Sequence, residues 1–154
     1  MSTYPSEKRL LKELRFFVDE PPEGMCVDGE ETEQNLKLWI VYMNGAEGTL
    51  FEGEKFKLQF KFDGTYPFEA PEVTFVGDNI PVHPHIYSNG HICLSILSDD
   101  WSPALTVQAI CVSIISMLSS CKRKERPEDD RKYIRSLRDK DPTYTKWNFY
   151  NDKI

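Results

Sequence analysis

Leu10, Leu14 and Phe17 recur at i, i+4 and i+7 with Leu11 and Val18 beside them, while Lys8, Arg9, Lys12 and Arg15 lie largely outside that stripe. This is the period of an amphipathic helix. Ser6 is the expected N-cap, Glu7 suits the positive end of the helix dipole, and Pro21-Pro22 should stop the helix. From Asp19 to Glu33 there are seven acids and no base, the pattern of a solvated loop. The period then changes to two. Leu36, Leu38, Ile40 and Tyr42 alternate with Trp39, Val41 and Met43, which predicts a strand covered on both faces. Phe56, Leu58, Phe60 and Phe62 alternate with Lys55, Lys57, Gln59 and Lys61, which predicts one face in the core and one in water. Pro71 to Val76 reads as a third, shorter strand. Asn44-Gly45 and Asp63-Gly64 between these runs favour an antiparallel meander.

Asp78 to Pro103 is rich in turn formers and too long for an idle connection, so a functional loop is expected there. Thr106 should cap a second helix. Its Val107, Ile110, Cys111, Ile114, Ile115 and Leu118 surround most of the circumference and predict burial. Lys122-Arg123-Lys124 follow it and Pro127 closes the segment. Arg131 to Lys140 can form a short basic helix, whereas 141–154 has no clear period. A helix, a meander and then helices make an α+β layout. With 154 residues and no repeat or Gly/Ser/Pro-rich linker, residues 1–154 read as a single domain, of which 127–154 is a divergent tail.

The net charge of −6 argues against a general binder of nucleic acid or anionic membranes, because phosphate contacts need a surplus of Lys and Arg. The most apolar run, Ala109 to Leu118, is about half the ~20 residues that a bilayer requires. Charged Glu7, Lys8, Arg9, Lys12 and Glu13 stand where a signal peptide would be apolar. Four cysteines at 26, 93, 111 and 121 form no Cys-x-x-Cys pair, which suits a reducing, intracellular setting with one reactive thiol.

All three histidines, His83, His85 and His91, fall within ten residues of Cys93. Three chemistries compete for this cluster. Zinc accepts both His and Cys, but Pro84 prevents a regular strand with both rings on one face, and no second ligand pair exists elsewhere. A Cys–His hydrolase would need a base oriented by a third group, normally drawn from distant parts of the chain. A thioester carrier needs only an exposed cysteine on irregular backbone, an oxyanion donor and an open approach.

The ordered set His83-Pro84-His85, Tyr87-Ser88-Asn89-Gly90, Ile92-Cys93-Leu94 and Trp101-Ser102-Pro103-Ala104-Leu105, with Tyr66-Pro67-Phe68 and Pro71 upstream, resembles the ubiquitin-conjugating enzymes. The likeness runs from about Glu7 to Leu118. It implies an N-terminal helix, a four-stranded antiparallel meander, a long active-site loop, a central buried helix and a short or mobile helical tail. It further implies that Cys93 carries the carboxy terminus of ubiquitin as a thioester. Lys8 and Arg9 match positions that meet the activating enzyme. Phe68, Ser102, Pro103 and Ala104 match the loops that grip RING or U-box ligases. His83 and Asn89 match structural positions of the site. No cofactor or metal is implied, since ATP is used by the activating enzyme, and the setting would be cytoplasm and nucleus. Homodimerisation stays open. A catalytically dead variant that only presents ubiquitin or a ligase, and a small His/Cys zinc protein, are the alternatives.

Two departures bear on the acceptor. The family's His-Pro-Asn reads His83-Pro84-His85 here, so His85 is either an oxyanion donor or a support of the loop. Ser95 stands where many members place an acid, and Cys121 to Arg126 is basic apart from Glu125. Such acids help to deprotonate lysine. The α-amino group (pKa ~7.8) and lysine (~10.4) lie about 2.6 units apart, roughly 3.5 kcal/mol, so α-amines need that help less. The His-Pro-His variant and Thr145-Lys146-Trp147 also resemble the branch of the family that modifies the α-amino group of flexible protein N-termini. A mobile tail beyond Pro127, leaving an open cleft, is the matching expectation.

Overall fold

The computed structural model describes residues 5–140. Helix α1 (Pro5–Asp19) buries Leu10, Leu14 and Phe17 as the period requires. It starts one residue before Ser6, because proline suits the first helical position, where its missing N–H loses nothing. The acidic stretch is not a plain loop. It contains β1 (Met25–Val27) and α2 (Gly29–Gln34), the latter capped by Asp28, whose carboxylate accepts the Glu31 N–H at 3.0 Å. A three-residue strand has no period to read, and α2 buries only Thr32.

Strands β2 (Leu38–Asn44), β3 (Lys55–Lys61) and β4 (Glu72–Val76) complete an antiparallel sheet in the order β1-β2-β3-β4. Trp39 lies opposite Phe60, Val41 opposite Leu58 and Met43 opposite Phe56; Phe60 and Leu58 in turn face Val73 and Phe75. This inner face is fully buried. The outer face of β2 is not covered as the alternation predicted: Leu38 and Tyr42 are exposed, because among the described residues no element packs there. Helix α3 (Val107–Ser119) joins the core through Val107, Ile110, Cys111, Ile114 and Leu118, but Val112 is exposed. Its burial is therefore one-sided rather than circumferential. Thr106 caps it, accepting the Ala109 N–H at 3.1 Å.

Two polar anchors fix the long loop against this frame. The first is the nearly buried carboxylate of Glu13 on α1. Its Oε2 accepts from the Tyr66 hydroxyl at 2.6 Å and from Arg9 Nε at 3.1 Å, while Oε1 accepts the Val107 N–H at 2.7 Å. A carboxylate thus terminates α3 at its positive end. Arg9 extends the anchor. Its guanidinium donates to the carbonyls of Pro103 and Leu105 and lies 5.2 Å over the Tyr66 ring. Burial and the Glu13 carboxylate push the Tyr66 phenol far above its ordinary range, so it remains a donor.

The second anchor is His83, which is 4% exposed. Its Nδ1 accepts the His85 N–H at 2.9 Å, which puts the ring proton on Nε2, where it donates to the Met117 carbonyl of α3 at 3.1 Å. Arg126 adds a third hold, donating to the carbonyls of Ile80, Pro81 and Ile86. Helix α4 (Asp130–Lys140) takes the predicted place of the basic helix.

Replacing Glu13 by Ala orphans the Tyr66 hydroxyl and the Val107 N–H and leaves Arg9 unpaired. A loss of about 3–5 kcal/mol in urea unfolding is expected, with Glu13→Gln losing less. His83 gives a pH signature. Burial, and next the neighbouring His85, lower its pKa, so the native state binds this proton less readily than the unfolded chain. Its stabilising contribution is therefore complete above the unfolded value of ~6.5 and is lost as pH falls below it. The urea midpoint should drop between pH 7 and pH 5, and the drop should shrink in His83→Gln.

Candidate active site

The segment from His83 to Cys93 folds back on itself as a small hairpin. His83 bridges to Ile86 and Ile86 to Ile92, with Ile86 wholly buried as its plug. Its tip is a turn closed by the Gly90 N–H on the Tyr87 carbonyl at 2.9 Å. Gly90 has φ +92°, and a Cβ there would stand 2.0 Å from the Phe75 carbonyl oxygen. Only glycine allows this approach. In return the Phe75 N–H donates to the Gly90 carbonyl at 2.9 Å, and His91 bridges to Thr74, so the hairpin lies against β4. Asn89 holds the turn through its side chain, which accepts the His91 N–H at 3.1 Å.

Cys93 emerges from this hairpin exposed, with its N–H donated to the His85 carbonyl at 2.7 Å. A one-turn 3₁₀ helix, Ser95–Leu97, follows it. The nucleophile candidate is therefore held by a main-chain bond to the hairpin and is exposed. His85 contributes through its backbone on both sides, to His83 and to Cys93, while its ring is exposed 5.5 Å from that of His83. Both ring nitrogens of His83 are occupied by protein partners, which leaves no lone pair for a metal. Among the described residues no three His, Cys, Asp or Glu side chains converge as ligands. The remaining cysteines differ from Cys93. Cys111 is buried, which pushes its thiol well up; Cys121 donates to the Arg123 carbonyl; Cys26 is exposed on β1.

The wall beside Cys93 includes residues that the sequence did not single out. Tyr87 stacks on Tyr133 of α4 at 3.8 Å, and its hydroxyl donates to both oxygens of Asp129 at 3.2 and 3.3 Å. Burial, the Asp129 carboxylate and, more weakly, the negative charge of a Cys93 thiolate raise the Tyr87 phenol above its ordinary range. Ser88 donates its N–H to Asp130 at 2.8 Å, and His91 hydrogen-bonds the Tyr133 hydroxyl at 2.9 Å. Two carboxylates just beyond Pro127, Asp129 and Asp130, thus lie against the hairpin. Of the bases in that run, Lys124 pairs with Glu54 and Arg126 is turned into the loop. The tail expected to be mobile from Pro127 onward is, over Asp130–Lys140, a helix docked on the hairpin; its remainder, 141–154, lies outside the described residues.

The expected binding residues gather around Arg9 of α1. Phe68 is 80% exposed on the turn after β3. Ser102, Pro103 and Ala104 are exposed beside it, and Trp101 Nε1 joins the two loops by donating to the Pro67 carbonyl at 2.9 Å. Lys8 is exposed, whereas Arg9 is half-buried with its guanidinium committed to Glu13 and the 103–105 backbone. Arg9 thereby shapes this patch from below.

Three comparisons agree with this geometry. A family model described as ubiquitin-conjugating enzyme matches residues 9–150. A protein of Danio rerio named "Probable ubiquitin-conjugating enzyme E2 W-A" is 56% identical over 146 residues, covering 95% of this chain and 96% of that one. The "Ubiquitin-conjugating enzyme E2 W" of Caenorhabditis elegans is 57% identical over 147 residues, with 96% of each chain covered. Among solved structures, the ubiquitin-conjugating enzyme UbcA1 of Agrocybe aegerita superposes with a TM-score of 0.81 at 44% identity, covering 86% of this chain and 95% of that one. With helix, four-stranded meander, cysteine-bearing hairpin and central helix in this order, the chain belongs to the ubiquitin-conjugating enzymes, which transfer ubiquitin in concert with an activating enzyme and a ligase.

Proposed function

We propose that Cys93 is the residue that carries ubiquitin and that the acceptor it favours is the α-amino group of a protein. The exposure of Cys93 on a hydrogen-bonded hairpin is the observation that carries the reading. The Cys93 thiolate attacks the thioester that links the ubiquitin carboxy terminus to the activating enzyme's cysteine; the C–S bond to Cys93 forms, the C–S bond to that cysteine breaks, and the activating enzyme's thiolate leaves. An acceptor amine then attacks the thioester carbonyl, the C–N bond forms, the C–S bond breaks, and Cys93 leaves as thiolate while the amine's proton passes to solvent. The chain itself holds no cofactor in this reading, because ATP is spent by the activating enzyme. The exposed Phe68 and Ser102–Ala104, with Lys8 at the rim, suit a RING-type ligase. His85 supports the loop through its backbone, and its exposed ring is free to act on the oxyanion.

The α-amine preference rests on proton economy. Asp129 is the acid that joins the site, and both of its oxygens are engaged by the Tyr87 hydroxyl. A lysine drawing on this carboxylate would compete with the Tyr87 hydroxyl for it. At neutral pH roughly a tenth or more of α-amines are already free base, against under ~0.1% of lysines.

Charging with activating enzyme, ATP and ubiquitin should give a reductant-sensitive adduct on a non-reducing gel. Cys93→Ser should convert it to a reductant-resistant ester; an adduct persisting in Cys93→Ala would refute the assignment. Discharge to a peptide α-amine should outpace discharge to an N-acetylated lysine peptide at pH 7. The α-amine rate should level off above pH ~8 while the lysine rate climbs towards pH 10. Equal rates at neutral pH would refute the preference.

A further inference from the structure

Residues 122–140 contain nine Lys and Arg against five Asp and Glu, a net of +4 in a chain whose total is −6. Docking of α4 sorts these charges. Its acidic start faces the hairpin, with Asp129 on the Tyr87 hydroxyl and Asp130 on the Ser88 N–H. Arg131, Lys132 and Arg135 are exposed, and no ion pair holds them among the described residues. Arg131 and Arg135 are one helical turn apart and so sit side by side on one face, a like-charge pair that destabilises an isolated helix. An anion between them would turn that repulsion into attraction. The ridge also has a defined position. Tyr133, on the same helix, hydrogen-bonds His91, two residues before Cys93. A helix is ~10–12 Å across, so the ridge stands roughly 15–20 Å from the thioester. An extended chain covers that distance in about five or six residues.

We propose that Arg131, Lys132 and Arg135 form an acceptor-recruiting surface for polypeptides that carry acidic residues about five to eight positions after the attacking amine. A polypeptide fits better than a nucleic acid because the rest of the chain carries −10, which repels an extended polyanion. The inference rests on Cys93 delivering ubiquitin to polypeptide amines, and one arm of the test is independent of that step.

Two fluorescent peptides with the same first five residues, followed by Asp-Glu-Asp or Ser-Gly-Ser, are offered below saturation to the ubiquitin-charged full-length chain. The acidic peptide should be modified about three- to tenfold faster at low salt, as expected for two or three exposed ion pairs, and the advantage should vanish near 0.5 M salt. Arg131→Glu/Arg135→Glu should reverse the preference towards a Lys-containing peptide, Arg131→Ala/Lys132→Ala/Arg135→Ala should abolish it, and discharge to glycinamide should stay unchanged in both. Fluorescence anisotropy of the same peptides with the uncharged chain reads the ridge directly. A failure of glycinamide to discharge would strike the Cys93 reading, while anisotropy would still decide the ridge. Equal binding of both peptides, a preference that survives the reversal, or tighter binding of a single-stranded oligonucleotide at the same salt would overturn the proposal.

Discussion

The buried carboxylate of Glu13 is the constraint on which the remainder of the molecule turns. One side chain on the first helix accepts from the turn after β3, from its own helix and from the first turn of α3. It thereby joins three parts of the chain separated by 53 and 94 positions. The cost of taking a charge out of water is met by the Arg9 guanidinium and two further donors rather than by a single partner. Arg9 then carries the constraint outward to the 103–105 backbone. The exposed patch of Phe68 and Ser102–Ala104 is in this sense the outer surface of a part-buried ion pair.

The hairpin that holds Cys93 is built on a different principle. Most bonds that place Cys93 are made by the main chain: Ile86 to His83, Cys93 to His85, Gly90 to Tyr87 and Phe75 to Gly90. Side chains enter mainly as terminals, with His83 reaching α3 and Ile86 filling the space beneath. Backbone bonds do not depend on residue identity, so replacement of the family's Asn by His85 leaves the position of the sulfur intact. What the change alters is the exposed side chain at that position, an imidazole in place of an amide.

Legibility in the sequence followed the same divide. Long periodic segments were plain: Leu10, Leu14 and Phe17 on α1, the Phe-rich face of β3, the Thr106 cap of α3. Cys93 was plain as well, because it sits in an ordered set of motifs. β1 and α2 escaped because a three-residue strand and a helix with one buried residue leave no period. The alternation in β2 overstated its burial, since apolar residues on an outer face look the same in sequence as buried ones. The meeting of Tyr87, Asp129 and Tyr133 could not be read at all, because it depends on where α4 docks. Arg9 looked like a solvated base of the first helix, and nothing local revealed that its guanidinium closes on carbonyls nearly a hundred residues away.

The contact between Gly90 and Phe75 has one more consequence. β4 is the last strand of its sheet, and an open flank of unpaired amides and carbonyls is a template for joining another chain. The hairpin lies along that flank and occupies the Phe75 amide. The loop that bears the chemistry is thus also a guard against self-association through the sheet, and damage to it would compromise solubility together with catalysis.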